Sequence, residues 1–135
     1  MKILIPILSE TENDEAFIDK AVAGAKEVIL LLIVDASPKE KFGFTTSFIQ
    51  KARHIMEEVK KAVGKKRKPC EDILEWGDTM NKIVNIALLR KTDKVCLKAQ
   101  DNQYFKDLLK RLKDEKIETE VIGSGSETAK ESGAK

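Results

Sequence analysis

Few residues in this chain have the types and spacing that catalysis demands. His54 is the single histidine, flanked by Arg53 and Ile55 off the apolar stripe of its helix, with no serine or cysteine nearby to act as its nucleophile. A lone imidazole without a positioned partner reads as a surface residue, not a general base. Cys70 and Cys96 form no CxxC pair and have no neighbouring histidine, which argues against a structural zinc site. Cys96 sits in an apolar strand pattern and reads as an inert small hydrophobe. Cys70 follows Arg67, Lys68 and Pro69, cations that would favour its thiolate and a redox role, against the blander reading of an unreactive thiol. The run Lys65-Lys66-Arg67-Lys68, with Lys60 and Lys61 before it, could meet nucleic acid or an acidic protein. No aromatic residues are interleaved for base stacking, so it reads as a solvated helix end. With no phosphate loop, metal-ligand cluster or nucleophile beside a base, a nucleotide-hydrolase reading ranks behind a binding module.

Composition narrows the class further. The chain has 135 residues, 41% apolar and 36% charged, enough for one core and one domain under a densely charged surface. Twenty-five Lys and Arg against 23 Asp and Glu leave a net charge of +2, too balanced for a nucleic-acid or membrane footprint. No stretch approaches the ~20 apolar residues of a spanning helix, and the N-terminus enters a strand pattern directly instead of a basic leader. The expected location is the cytoplasm, with both thiols reduced.

The elements that must position these residues can be read in order. Lys2 to Leu8 is an apolar, β-branched strand. Ser9 reads as the cap of the next helix, with Glu12 reaching back to it and Phe17, Ala21 and Ala25 at helical spacing. Val28 to Val34 is apolar at every position, which requires cover on both faces and so a central parallel strand. After Asp35, the stretch Ser37 to Phe44 with Pro38 and Gly43 is a connection. Phe42, Phe44 and Phe48 cluster there, either as a lid or subunit contact or as a staple for the helix that follows. Phe48, Ala52, Ile55, Met56, Val59, Ala62 and Val63 define an amphipathic helix, which Gly64 is expected to terminate. Glu71 to Trp76 is a short strand, and Gly77 a turn. Asp78 then caps a helix whose apolar face is Met80, Ile83, Val84, Ala87 and Leu88. A fourth strand, Lys94 to Lys98, leads into a helix from Asp101 or Asn102 that buries Phe105, Leu108, Leu109 and Leu112. Its surface has Asp107, Arg111 and Glu115 spaced for ion pairs. Ile117 to Ile122 is a final edge strand with Glu118 and Glu120. The expected domain is 1–123, followed by a disordered polar tail over 124–135. Five strands alternating with four helices make an α/β three-layer sandwich, a five-stranded parallel sheet with helices on both faces and right-handed crossovers.

Three stretches carry a family likeness: Ile3-Leu4-Ile5-Pro6, Leu32-Ile33-Val34-Asp35, and Glu75-Trp76-Gly77-Asp78 leading into Ile83 to Leu88. In that order and spacing the chain resembles the universal stress protein family over about Met1 to Gly123. The resemblance implies a Rossmann-like sheet ordered 3-2-1-4-5, akin to the adenine nucleotide alpha hydrolase-like fold, and pairing of subunits through the final strand. It also implies an ATP site in many members, using a carboxylate after the first strand, backbone near the end of the second, and a loop Gly-x-x-Gly-x9-Gly-Ser/Thr after the fourth. The chain departs from that pattern. Leu8 stands at the acidic position, and Lys98-Ala99-Gln100-Asp101-Asn102 contains no glycine; none occurs between Gly77 and Gly123. Amides that turn onto phosphate oxygens adopt conformations that side chains obstruct, so the usual cradle is not expected.

Open α/β sheets take ligands beyond the carboxyl ends of their strands where the order reverses, here between the first and fourth. Ile7, Ser9, Val34, Asp35, Lys98 and Gln100 are the residues expected around that crevice. They are read either as a site for a small anionic or nucleotide-like ligand or as a filled, vestigial cleft. The sequence thus points to a non-catalytic homodimeric binding or regulatory module, without a cofactor or a metal, that pairs through Ile117 to Ile122. The alternative is a nucleotide- or phosphate-binding protein that uses Lys98 in place of glycine amides. A response-regulator receiver fits the alternation, but Leu8 and Leu97 stand where it would need acidic residues.

Overall fold

In the computed structural model, which describes residues 1–35 and 48–123, the chain folds as β1 (Lys2–Ile7), α1 (Glu15–Val22), β2 (Glu27–Val34), α2 (Ile49–Lys65), β3 (Cys70–Trp76), α3 (Thr79–Leu89), β4 (Lys94–Lys98), α4 (Gln103–Asp114) and β5 (Thr119–Ile122). The strands form one parallel sheet ordered β3-β2-β1-β4-β5, as the resemblance implied. The connection at Ser37 to Phe44, with Phe42, and the tail at 124–135 lie outside the described residues.

Alternation along the strands builds two cores. Ile3, Ile5 and Ile7 of β1 and Val28, Leu30 and Leu32 of β2 pack against α1 and α2. Leu4, Ile29, Leu31 and Ile33 face α3 and α4 on the other side, with Val95 and Leu97 of β4. The continuous apolar run of β2 is therefore covered on both faces, the physical condition that its composition demanded.

Pro6 shapes the carboxyl end of this sheet. The Asp93 amide donates to the Lys2 carbonyl, so the even residues of β1 turn their main chain toward β4. Pro6 has no N–H to offer on that side. The β1–β4 register runs only through Ile3 opposite Lys94 and Leu4 opposite Val95, whereas β1–β2 continues to Ile7 opposite Leu32. The two strands thus stop pairing before their carboxyl ends, at the point where the sheet order reverses.

Several local expectations are corrected. Helix α1 is capped by Asp14, whose side chain accepts from the Ala16 amide, and not by Ser9; Glu12 does reach back to Ser9, but within the preceding turn. Gly64 lies inside α2. The left-handed residue after that helix is Arg67 (φ 62°), and Lys91 (φ 53°) and Lys116 (φ 61°) serve the same purpose after α3 and α4. After α4, Lys116 sits in a Schellman arrangement, with the Ile117 amide donating to the Leu112 carbonyl at 2.9 Å, which needs a left-handed residue but not specifically glycine. Leu88 was expected in the core and is exposed, as is Phe48, while Ile86 is buried in its stead. The caps Asp78 and Asn102 are as the sequence indicates, accepting from the Asn81 amide at 2.9 Å and the Phe105 amide at 2.7 Å. Arg111 pairs with Glu115 at 3.1 Å, but Asp107 accepts from Gln103.

Candidate functional site

The carboxyl edge between β1 and β4 is where the fold brings the most polar chemistry under cover. Lys98, the last residue of β4, turns its side chain to the α1 side. Its Nζ lies 3.0 Å from Asp14 Oδ2 and 5.9 Å from the centroid of the Phe17 ring, with only 7% of the side chain exposed. The hydrogen bond from Lys98 pulls the Asp14 carboxyl below its usual range, with the Coulombic attraction acting in the same direction against the cost of burial. One aspartate therefore caps α1 with one oxygen and neutralises Lys98 with the other.

In the same β1–α1 connection, the turn after β1 folds around Glu12, which is 0% exposed. Its carboxylate accepts from the Leu8 amide at 3.1 Å, the Ser9 amide at 2.9 Å and the Ser9 hydroxyl at 2.9 Å. Burial pushes its pKa up to about 7 against those hydrogen bonds. In the sequence, Glu12 reads only as a helix-turn partner of Ser9. Its signal was the spacing from Ser9, which fixes the hydrogen bonds but says nothing of burial.

The segment from Ala99 to Asn102 is committed to the fold. The Ala99 amide donates to the Ile122 carbonyl at 2.8 Å, and Asn102 occupies the N-terminus of α4 with its own side chain. Gln100 accepts from Asn102 through Oε1 at 3.4 Å, while its Nε2 is buried with no hydrogen-bond partner. Ile7 and Val34 are buried, so only their main chain can face a ligand; Asp35 is partly exposed at the end of β2. Of the six expected residues, Ser9 and Lys98 are thus engaged inside the protein, whereas the buried Gln100 Nε2 has no acceptor.

The other chemistry-bearing residues disperse. Cys96 is buried, donates through Sγ to the Ala21 carbonyl at 3.7 Å, and has its pKa raised by burial to about 12. Burial also lifts Cys70, to about 11, because desolvation outweighs the attraction of Lys60. The cations before Cys70 do not produce the favoured thiolate that the sequence suggested. His54 is exposed, with Nε2 3.3 Å from Glu58. The basic stretch is partly neutralised internally: Lys60 pairs with Asp72 at 2.7 Å, Lys66 with Asp19, and Lys68 Nζ donates to the Ala25 carbonyl at 2.8 Å. Among the described residues, no group of three or more His, Cys, Asp or Glu could hold a metal ion, and no helix is long and apolar enough to cross a membrane.

An open parallel sheet ordered 3-2-1-4-5, with its switch point between β1 and β4, defines a Rossmann-like α/β domain. No protein-family model matches the chain, and no curated protein matches it by sequence. Solved structures do match. Hypothetical protein MJ0577 superimposes with a TM-score of 0.70 at 21% identity, covering 93% of this chain and 97% of that one. A universal stress protein family member from Burkholderia pseudomallei gives 0.64 at 14% identity over 90% and 94%. A universal stress protein in complex with cAMP gives 0.60 at 10% identity over 93% and 98%. The chain has the fold of the universal stress proteins, which the resemblance in its sequence anticipated.

Proposed function

We propose that this chain is a non-catalytic, cytoplasmic binding or regulatory module of the universal stress type that does not hold ATP in the manner usual for that family. The observation that carries this reading is the Lys98–Asp14 pair. Among the described residues, the cation buried at the switch point is already neutralised within the protein, 3.0 Å from its carboxylate and nearly sealed from solvent. A triphosphate arriving there would have to break that pair. It would also meet Leu8 in place of an acidic contact and a loop whose Ala99 amide belongs to β5. Titration calorimetry with ATP tests it: the expected result is no binding in the micromolar range. Micromolar affinity that survives Lys98→Ala would overturn the reading.

Pairing of two copies through β5 is part of this proposal. A groove of about 480 Å³ runs beside that strand, lined by Leu109, Ile117 and Val121 and bordered by Lys113, Lys116 and Glu118. An apolar strip rimmed by both charge signs suits an isologous contact, and the outer edge of β5 has main-chain groups to pair. Sedimentation at tens of micromolar should give a dimer that Val121→Lys dissociates; a wild-type monomer would remove this element.

A second reading is favoured by the buried, unpartnered Gln100 Nε2 after β4, joined by a second such atom, Thr79 Oγ1, at the start of α3. Orphaned polar atoms under cover cost about 1–3 kcal/mol each, and a bound acceptor would recover that. One structural relative is complexed with cAMP. Native mass spectrometry of freshly purified protein separates the two readings: a retained nucleotide or phosphate compound, lost in Gln100→Leu, favours the ligand-binding one.

A further inference from the structure

Glu12 is used by neither reading, yet it is the most deeply buried carboxylate among the described residues and holds the turn at the lip of the crevice. Its three hydrogen bonds come from uncharged donors, two amides and one hydroxyl. The charges around the turn are engaged elsewhere: Glu10 with Lys51 of α2 at 2.9 Å, Asp14 with Lys98 of β4, and Glu58 of α2 with Asn13 at 2.6 Å and with His54. Among the described residues, therefore, no ion pair fixes Glu12 in its charged form. The Ser9 hydroxyl, besides donating to Glu12, lies 2.9 Å from Thr11 Oγ1, a second acceptor within reach.

We propose that Glu12 is a proton-operated latch on the β1–α1 turn, which as a carboxylate grips the Leu8 and Ser9 amides and as the acid gives up part of that grip. The protonated oxygen donates to Ser9 Oγ, which turns its own proton to Thr11 Oγ1, and the exposed Thr11 hydroxyl turns its hydrogen to water. The Ser9 amide, which shared the same carboxylate oxygen, is left with the weaker acceptor. Desolvation places the exchange in the neutral range, at about pH 7, where modest acidification changes the population. The latch operates whether or not the crevice takes a ligand.

The test is a pH titration of the full chain by NMR, following the Glu12 side-chain carboxyl carbon and the Leu8 and Ser9 amide signals. The three signals are expected to move together with a midpoint near pH 7. The amide transition should persist in His54→Gln, which removes the only imidazole, and vanish in Glu12→Gln. Ser9→Ala, which deletes one donor to the carboxylate and the acceptor of the Thr11 amide at 3.2 Å, should move the midpoint upward. A Glu12 carbon that titrates near the ordinary 4.5, or amide signals with a midpoint different from it, overturns the latch.

Discussion

Removing the charge from Asp14 while keeping its shape isolates what the buried pair contributes. At 3.0 Å the Coulombic attraction between Lys98 and Asp14 is about 5 kcal/mol at an effective dielectric of ~20, before either group's desolvation is subtracted. Breaking a fully buried pair costs about 3–5 kcal/mol, because the remaining charge is stranded. Here Lys98 is sealed but the Asp14 side chain is 34% exposed, so the expected loss for Asp14→Asn is smaller, about 2 kcal/mol. Asparagine still caps a helix, so α1 survives this change. Asp14→Ala also deletes the bond from the Ala16 amide and should cost about 1 kcal/mol more. Lys98→Met places an apolar chain of similar length over Phe17 and leaves Asp14 in contact with water. Its expected cost is under ~1 kcal/mol, and the double variant should recover most of the Asp14→Asn loss. Urea denaturation of the four proteins supplies the cycle, and in thermal melts each kcal/mol corresponds to roughly 3–5 °C for a chain of this size. The pH dependence has a definite sign. Asp14 titrates below its unfolded value of 3.8 when folded, so its contribution is complete above that value and is lost as pH falls through the folded one. Lys98→Met should flatten this acid-side loss. If Lys98→Met proves as damaging as Asp14→Asn, with no coupling in the double variant, the pair is not what organises the crevice.

Glu12 acts in the opposite sense: its folded pKa of about 7 lies above the unfolded 4.5, so its contribution is fully present below 4.5 and fades as pH rises to about 7. The difference is on the order of 3 kcal/mol, read as wild-type stability falling over that window while Glu12→Gln stays level. Lys116→Gly should stabilise the protein by up to about 1 kcal/mol in urea denaturation, since its φ of 61° strains a side chain and suits glycine. Gly77→Ala should destabilise by roughly 1–3 kcal/mol by the same measurement: φ is 143° there, and an added Cβ would stand 3.0 Å from Lys82 Cε. Iodoacetamide should label Cys70 slowly at neutral pH, faster as pH approaches 11, and reach Cys96 only on unfolding; rapid neutral labelling of Cys70 would contradict its burial.

The sequence by itself determined what depends on neighbours along the chain. The seven apolar residues from Val28 to Val34 demanded a doubly covered strand, and they are one. Asp78 and Asn102 announced helix starts because a cap needs only an amide two or three residues ahead. The family likeness added the strand order, and the lack of glycine between Lys98 and Asn102 was plain from the letters alone. Tertiary structure decided the rest. Lys98 finds Asp14 across 84 positions of sequence, a pairing that exists only because β4 is laid beside β1 and α1 starts at the same edge. Whether Lys98 is a ligand contact or an internal counterion therefore could not be read from its type. Glu12 and Cys70 make the same point, since burial, and not the residues next to them, sets their protonation. Helix ends at Arg67, Lys91 and Lys116 were missed because a left-handed turn tolerates a long side chain pointing into water. Local chemistry is written within a few residues, whereas desolvation and long-range charge pairing belong to the folded arrangement.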